Sequence, residues 1–160
     1  MSVESVREYL KQYHAEDRIL EFPVSSATVE LAAEAVGTIP ARIAKSLTFL
    51  VDDHCVLIVA AGDARIDNQK FKSRFHTKAK MLSPEQVLSM TGHPVGGVCP
   101  FALPENVEVF LDESLKRFFT VFPAAGSGNS AIELTLEELI LFSRALDWVD
   151  VCKLPEETEK

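Results

Sequence analysis

Cysteine is scarce in this chain and wrongly spaced for cross-linking. Cys55, Cys99 and Cys152 are far apart and odd in number, with no CxxC pair among them. That argues against a disulfide framework and against a structural zinc site. No apolar run approaches the roughly 18 residues that a membrane-spanning helix requires. The opening stretch, MSVESVREYLKQYHAEDRI, is charged throughout and lacks the apolar centre of a signal peptide. These absences predict a cytoplasmic protein with no membrane partner. There is no HExxH, Walker A or Rossmann fingerprint, and GSGNSA (126–131) is too short and misplaced for a dinucleotide loop. Internal repeats and low-complexity blocks are also missing.

What is present suits one folded unit. At 160 residues and 47% hydrophobic content the chain can bury a real core. The expected organisation is a single domain over 1–153 followed by a polar, disordered tail at 154–160. The net charge of −8 argues against a nonspecific nucleic-acid binder. The charge is uneven, however. Residues 65–80 carry six cations (Arg65, Lys70, Lys72, Arg74, Lys78 and Lys80) against Asp67 alone, a local +5 on a body of −13. Such a stretch either holds phosphate at one chosen place or is a solvated helix face.

Periodicity and capping residues divide the chain. Val3, Val6, Tyr9, Leu10 and Tyr13 have helical spacing over 2–16. A second helix starts at the N-cap Thr28, shows Leu31, Ala32, Ala35 and Val36 on one face, and stops at Gly37. Ala44–Val51 and Cys55–Ala61 read as strands joined by the turn DDH, hence an antiparallel hairpin. NQKFKSRFH begins another helix, and SPEQVLSMTG is one capped by Ser83 and ended by Gly92. VEVFLDESL, FFTVFPAAG and the end of GSGNSAIELT read as strands. The last helix is capped by Thr135, with Leu136, Leu139, Ile140 and Phe142 inward, and WVDVCK ends the core. Strands and helices mix without strict alternation, so an α+β fold with a mixed sheet is expected.

Few residues are placed to do chemistry. Lys45 stands among apolar neighbours at the start of a strand, where an ammonium is costly to bury. It is either a cation aimed into a cleft at an oxygen, or an edge lysine that reaches solvent. GGVCPF (96–101) also has two functional readings. Its amides can form a nest for a carbonyl or oxyanion, or Cys99 can act as a nucleophile. The second needs a base, and spacing alone pairs Cys99 with none of His14, His54, His76 or His93; His93 reads as an ordinary loop residue. The third reading is a purely structural turn. Glu133 sits among apolar residues and is either a base or, as strand alternation favours, turned to solvent.

Read in order, SSATVELAAEAVG, RIAKSLTFLV, AAGDARIDNQKF, GHPVGGVCPF, VFLDESL and GSGNSAIELT resemble the YbaK/ProX family of aminoacyl-tRNA editing domains. Such domains are also found inserted in bacterial prolyl-tRNA synthetases. The resemblance covers about residues 20–150. Its specific element is a strand lysine followed about fifty residues later by Gly-x-x-x-Pro. It implies a compact α+β domain around a highly curved mixed sheet flanked by helices. The reaction implied is hydrolysis of the ester linking a wrong amino acid to the 3′ end of tRNA, with no metal, cofactor or protein nucleophile. Lys45 would engage the terminal adenosine phosphate or the aminoacyl group. The Gly96–Pro100 loop would hold the aminoacyl carbonyl, making Gly96 and Gly97 catalytic with Lys45, and Val98, Cys99 and Pro100 substrate contacts. Thr28, Asp67 and Ser127 complete the implied substrate contacts. Many members carry serine where this chain has Cys99, which reads here as a wall of the amino-acid pocket. Lys70, Lys72, Arg74, Lys78 and Lys80 would face the acceptor stem of the mischarged tRNA, with a synthetase as a further partner. The competing readings are a non-catalytic tRNA- or synthetase-binding module of the same fold, and a cysteine-nucleophile hydrolase.

Overall fold

The computed structural model describes residues 2–155, so the expected tail lies from residue 156 onward outside the described residues. The apolar spacing at the start of the chain produces α1 (Ser2–Leu10), which buries Val3, Val6 and Leu10. The Tyr9 hydroxyl donates to the Phe142 carbonyl at 2.5 Å, and the Tyr13 ring stacks on Phe142 with centroids 4.5 Å apart. The first helix is thereby tied to the last. After β1 (Leu20–Glu21) comes α2 (Val29–Val36), where Thr28 Oγ1 accepts from the Leu31 amide and Gly37 closes the helix at φ 77°. Its buried face is Ala32 and Ala33, which pack on Ile43 and Phe122. Leu31, expected inward, is 40% exposed, because the small residues are the ones turned toward the sheet.

The hairpin forms as expected, with strands one residue longer at their starts: β2 (Ile43–Val51) and β3 (His54–Ala61). Asp52 and Asp53 both have positive φ, 49° and 67°, which is the type I′ turn that matches strand twist. From Cys55 to Ala61 every residue of β3 is buried. A strand covered on both faces shows a continuous apolar run instead of alternation.

Next come β4 (Arg65–Ile66), α3 (Asn68–Phe75) and α4 (Pro84–Thr91), the last with a reciprocal Ser83–Gln86 cap and Gly92 at its end. Then follow β5 (Glu108–Asp112), β6 (Thr120–Pro123), β7 (Ser130–Ala131), β8 (Leu134–Thr135), α5 (Leu136–Ser143), β9 (Asp147–Val149) and β10 (Cys152–Lys153). On α5, Leu139 and Phe142 are buried, whereas Ile140 is 38% exposed instead of inward.

The main sheet has the order β8-β6-β2-β3-β5-β9. The β2–β3 and β6–β8 pairs are antiparallel, and β2–β6, β3–β5 and β5–β9 are parallel. The fold is therefore α+β on a mixed, curled sheet, as expected. Phe49, Phe71, Phe75 and Phe110 form a continuous ring contact, with successive centroids 4.9, 4.8 and 5.3 Å apart, that docks α3 on the sheet. Among the described residues no helix is long and apolar enough to cross a membrane.

Candidate functional site

A cleft of about 310 Å³ opens between the start of α2, the first half of β2 and the loop preceding Cys99. Lys45 on β2 lines it. Its ammonium donates to the carbonyls of Ala64 at 2.5 Å and Gly62 at 3.2 Å. Burial pushes its pKa below the usual lysine value, and Cys152, Asp63 and Glu30 act in the opposite direction. An ammonium has three N–H groups, so one remains for a ligand oxygen. The turn that holds Lys45 is itself constrained. A Cβ on Gly62 would sit 2.1 Å from the Pro40 carbonyl oxygen and 2.7 Å from Val29 Cγ1. Asp63 is clamped by the Arg117 guanidinium at 2.6 and 3.0 Å, and that guanidinium holds its carboxyl below the usual range.

Across the cleft lies the glycine loop. Gly96 has φ +92° and lines the cleft with Val95 and Val98. The Gly96 and Val98 amides have no acceptor among the described residues. Gly97 differs from expectation. Its amide donates to the Pro94 carbonyl at 2.9 Å, and a Cβ there would meet the Ser127 backbone at 2.8 Å. Gly97 therefore closes the turn and lets two loops touch, and its amide is not open to a substrate carbonyl.

Cys99 also lies elsewhere than expected. It is fully buried and does not line the cleft; Val95 and Val98 form that wall. His93, expected as an ordinary loop residue, is buried beside it, with Nε2 3.6 Å from Sγ. Nε2 is also 2.7 Å from the Phe101 carbonyl. A carbonyl only accepts, so Nε2 carries the hydrogen and has no lone pair to receive the thiol proton. Burial pushes the Cys99 thiol up to about 12 and the His93 imidazole down. This is not an activated nucleophile. Pro100 is buried behind the loop.

The other expected contacts separate. Thr28 lines the cleft while its Oγ1 caps α2 at 3.2 Å. Asp67 is outside the cleft and caps α3, accepting from the Gln69 and Lys70 amides at 3.0 and 3.1 Å. Ser127 Oγ is 2.7 Å from Ser130 Oγ, and it is Ser130 that lines the cleft. In the basic stretch, Lys70 is 3.2 Å from Asp150, and Arg74 is 3.6 Å from Asp147 with its guanidinium over the Phe75 and Phe110 rings. Lys72, Lys78 and Lys80 are exposed and form no ion pair among the described residues. The Lys80 carbonyl accepts from the Leu50 amide at 2.9 Å, which places this end of the stretch beside the cleft residue Met81.

Ser26, Ser46 and Thr48 also line the cleft and were not expected there. For the β2 pair a signal exists: Ala44, Ser46 and Thr48 are small or hydroxylic at alternate positions of an apolar strand. Ser26 carries no such signal. Among the described residues no group of three or more His, Cys, Asp or Glu is placed to hold a metal ion.

A curled mixed sheet with a lysine and a glycine loop facing each other across a cleft defines a class. Residues 24–142 match the aminoacyl-tRNA editing domain family, and the chain belongs to it. Among individual relatives, "Uncharacterized protein YwhH" of Bacillus subtilis is 58% identical over 154 residues, covering 96% of this chain and 98% of that one. The proline–tRNA ligase of Thermotoga neapolitana is 32% identical over 90 residues, 56% of this chain but only 15% of the ligase. A solved structure described as "a putative trans-editing enzyme for prolyl tRNA synthetase" superposes with a TM-score of 0.85 at 28% identity, covering 95% of this chain and 97% of that one.

Proposed function

We propose that this chain is a free-standing aminoacyl-tRNA deacylase that removes a wrong amino acid from charged tRNA, acting in trans in the cytoplasm. The observation that carries the reading is the placement of Lys45, Gly96 and Val98 on one cleft, with donors left over on both sides. Water attacks the ester carbonyl carbon, and negative charge collects on the carbonyl oxygen. The remaining Lys45 N–H and the Gly96 and Val98 amides supply donors where that charge develops, and they are in place before it forms. The carbon–oxygen bond to the ribose then breaks, and the ribose oxygen takes the proton that the attacking water loses. No side chain needs to attack, in keeping with the burial of Cys99.

A panel of mischarged tRNAs tests this directly. The wild-type protein should hydrolyse at least one of them, at a rate unchanged by EDTA. Lys45→Ala should lower kcat/KM on the order of a hundredfold, the usual effect of losing one such donor. Cys99→Ser should remain active. Failure to cleave any member of the panel, or full activity in Lys45→Ala, ends the proposal.

A further inference from the structure

Among the described residues, two hydroxyls that line the cleft have no hydrogen-bond partner. Among the described residues, Ser26 Oγ and Ser46 Oγ are the buried side-chain polar atoms left without a hydrogen bond, and both residues line the cleft. Ser26 is 8% exposed, and its amide is fixed to the Gly128 carbonyl at 2.7 Å. Ser46 follows Lys45 on β2. A buried hydroxyl left unpaired is destabilising, so its presence beside a cavity calls for a ligand that completes it.

Position tells which part of the ligand this is. Ser46 adjoins Lys45 in the chain. Ala27, next to Ser26, lies 3.2 Å from where a Gly96 Cβ would be. Both hydroxyls line the same cleft as Lys45, Gly96 and Val98, the residues assigned to the ester carbonyl. In an aminoacyl ester, the polar group on the carbon beside that carbonyl is the α-amino group. The cleft lining contains no carboxylate and one cation, Lys45, so it is unsuited to an ammonium. A neutral amine has one lone pair and two N–H groups, and it can accept from one hydroxyl while donating to the other. Resting on the deacylase reading, we propose that Ser26 and Ser46 recognise the free α-amino group. The cleft then accepts aminoacyl esters and refuses N-acylated ones, a class that includes peptidyl-tRNA.

The probes are adenosine carrying an alanyl group in a non-hydrolysable 3′-amide and the N-acetyl form of the same compound, with binding read by calorimetry. The wild-type protein should bind the free-amine form at least tenfold more tightly. Ser26→Ala and Ser46→Ala should each lose about tenfold on that form and leave the N-acetyl form unchanged. Both variants should melt at or above the wild-type temperature, because each removes an unpaired hydroxyl. Ser46→Thr, which keeps the hydroxyl, should retain the preference. Equal binding of the two probes by the wild type, no binding of either, or equal weakening of both in the alanine variants overturns the inference. A tenfold preference without cleavage of any mischarged tRNA overturns the deacylase reading and leaves the amine recognition standing.

Discussion

Gly62 shows how a residue with no functional group can govern one that has it. Its carbonyl is one of two that hold the Lys45 ammonium, and its α-carbon lies against Pro40 and Val29, where a methyl group does not fit. Gly62→Ala must move either the turn or the start of β2. Overpacking of this kind costs about 1–3 kcal/mol. The expected result is a melting temperature several degrees lower, together with a fall in deacylation larger than the unfolded fraction explains. A variant with wild-type melting and wild-type kcat/KM would show that the turn does not position Lys45. Cys99 illustrates the converse, since a reactive side chain is silenced by its surroundings when burial raises its pKa to about 12 and its nearest histidine already donates elsewhere.

At the scale of elements, the features legible in the sequence were those decided locally. Thr28, Ser83 and Thr135 cap their helices through bonds that span three residues, and the Asp52–Asp53 turn sets its hairpin by backbone preference alone. What was not legible depends on segments far apart in the chain. β9 is a strand only because it lies parallel to β5, and the Gly97 amide is committed because its loop must close against Ser127. The Asp67 carboxylate, which looked available for a substrate, is taken by the helix that follows it. One such distant tie has a pH signature. Arg18 contacts Glu138 at 2.6 and 3.0 Å, and its guanidinium holds the Glu138 carboxyl down at about 2 instead of 4.5. The folded-state pKa is depressed, so the stabilisation is present above about pH 4.5 and is lost as the pH falls through about 2. Glu138→Gln can keep the reciprocal cap with Thr135 but not the charge. Its unfolding free energy from urea titration should lie below wild type at pH 7, by less than about 1 kcal/mol for so exposed a pair. The gap should close between pH 4.5 and pH 2, and a constant gap would assign the effect to packing.

For the whole molecule, the proposed deacylase function requires a body of net charge −8 to approach a polyanion. Lys70 and Arg74 are partly neutralised by Asp150 and Asp147, whereas Lys72, Lys78 and Lys80 face solvent, with Lys80 at the end nearest the cleft. If these three meet phosphates, log Kd for tRNA should vary steeply with log salt. Each Lys→Ala change should then reduce the slope by nearly one, while single-turnover hydrolysis at saturating tRNA stays unchanged. A slope indifferent to all three would move the contact elsewhere on the surface. The tether on Lys45 has a consequence of its own. A lysine normally samples many rotamers and exchanges its ammonium protons with water too fast to observe, but this one is anchored at two carbonyls. Its ammonium resonance should persist near neutral pH when those of exposed lysines have vanished, marking it as a stationary charge on the wall of the cleft.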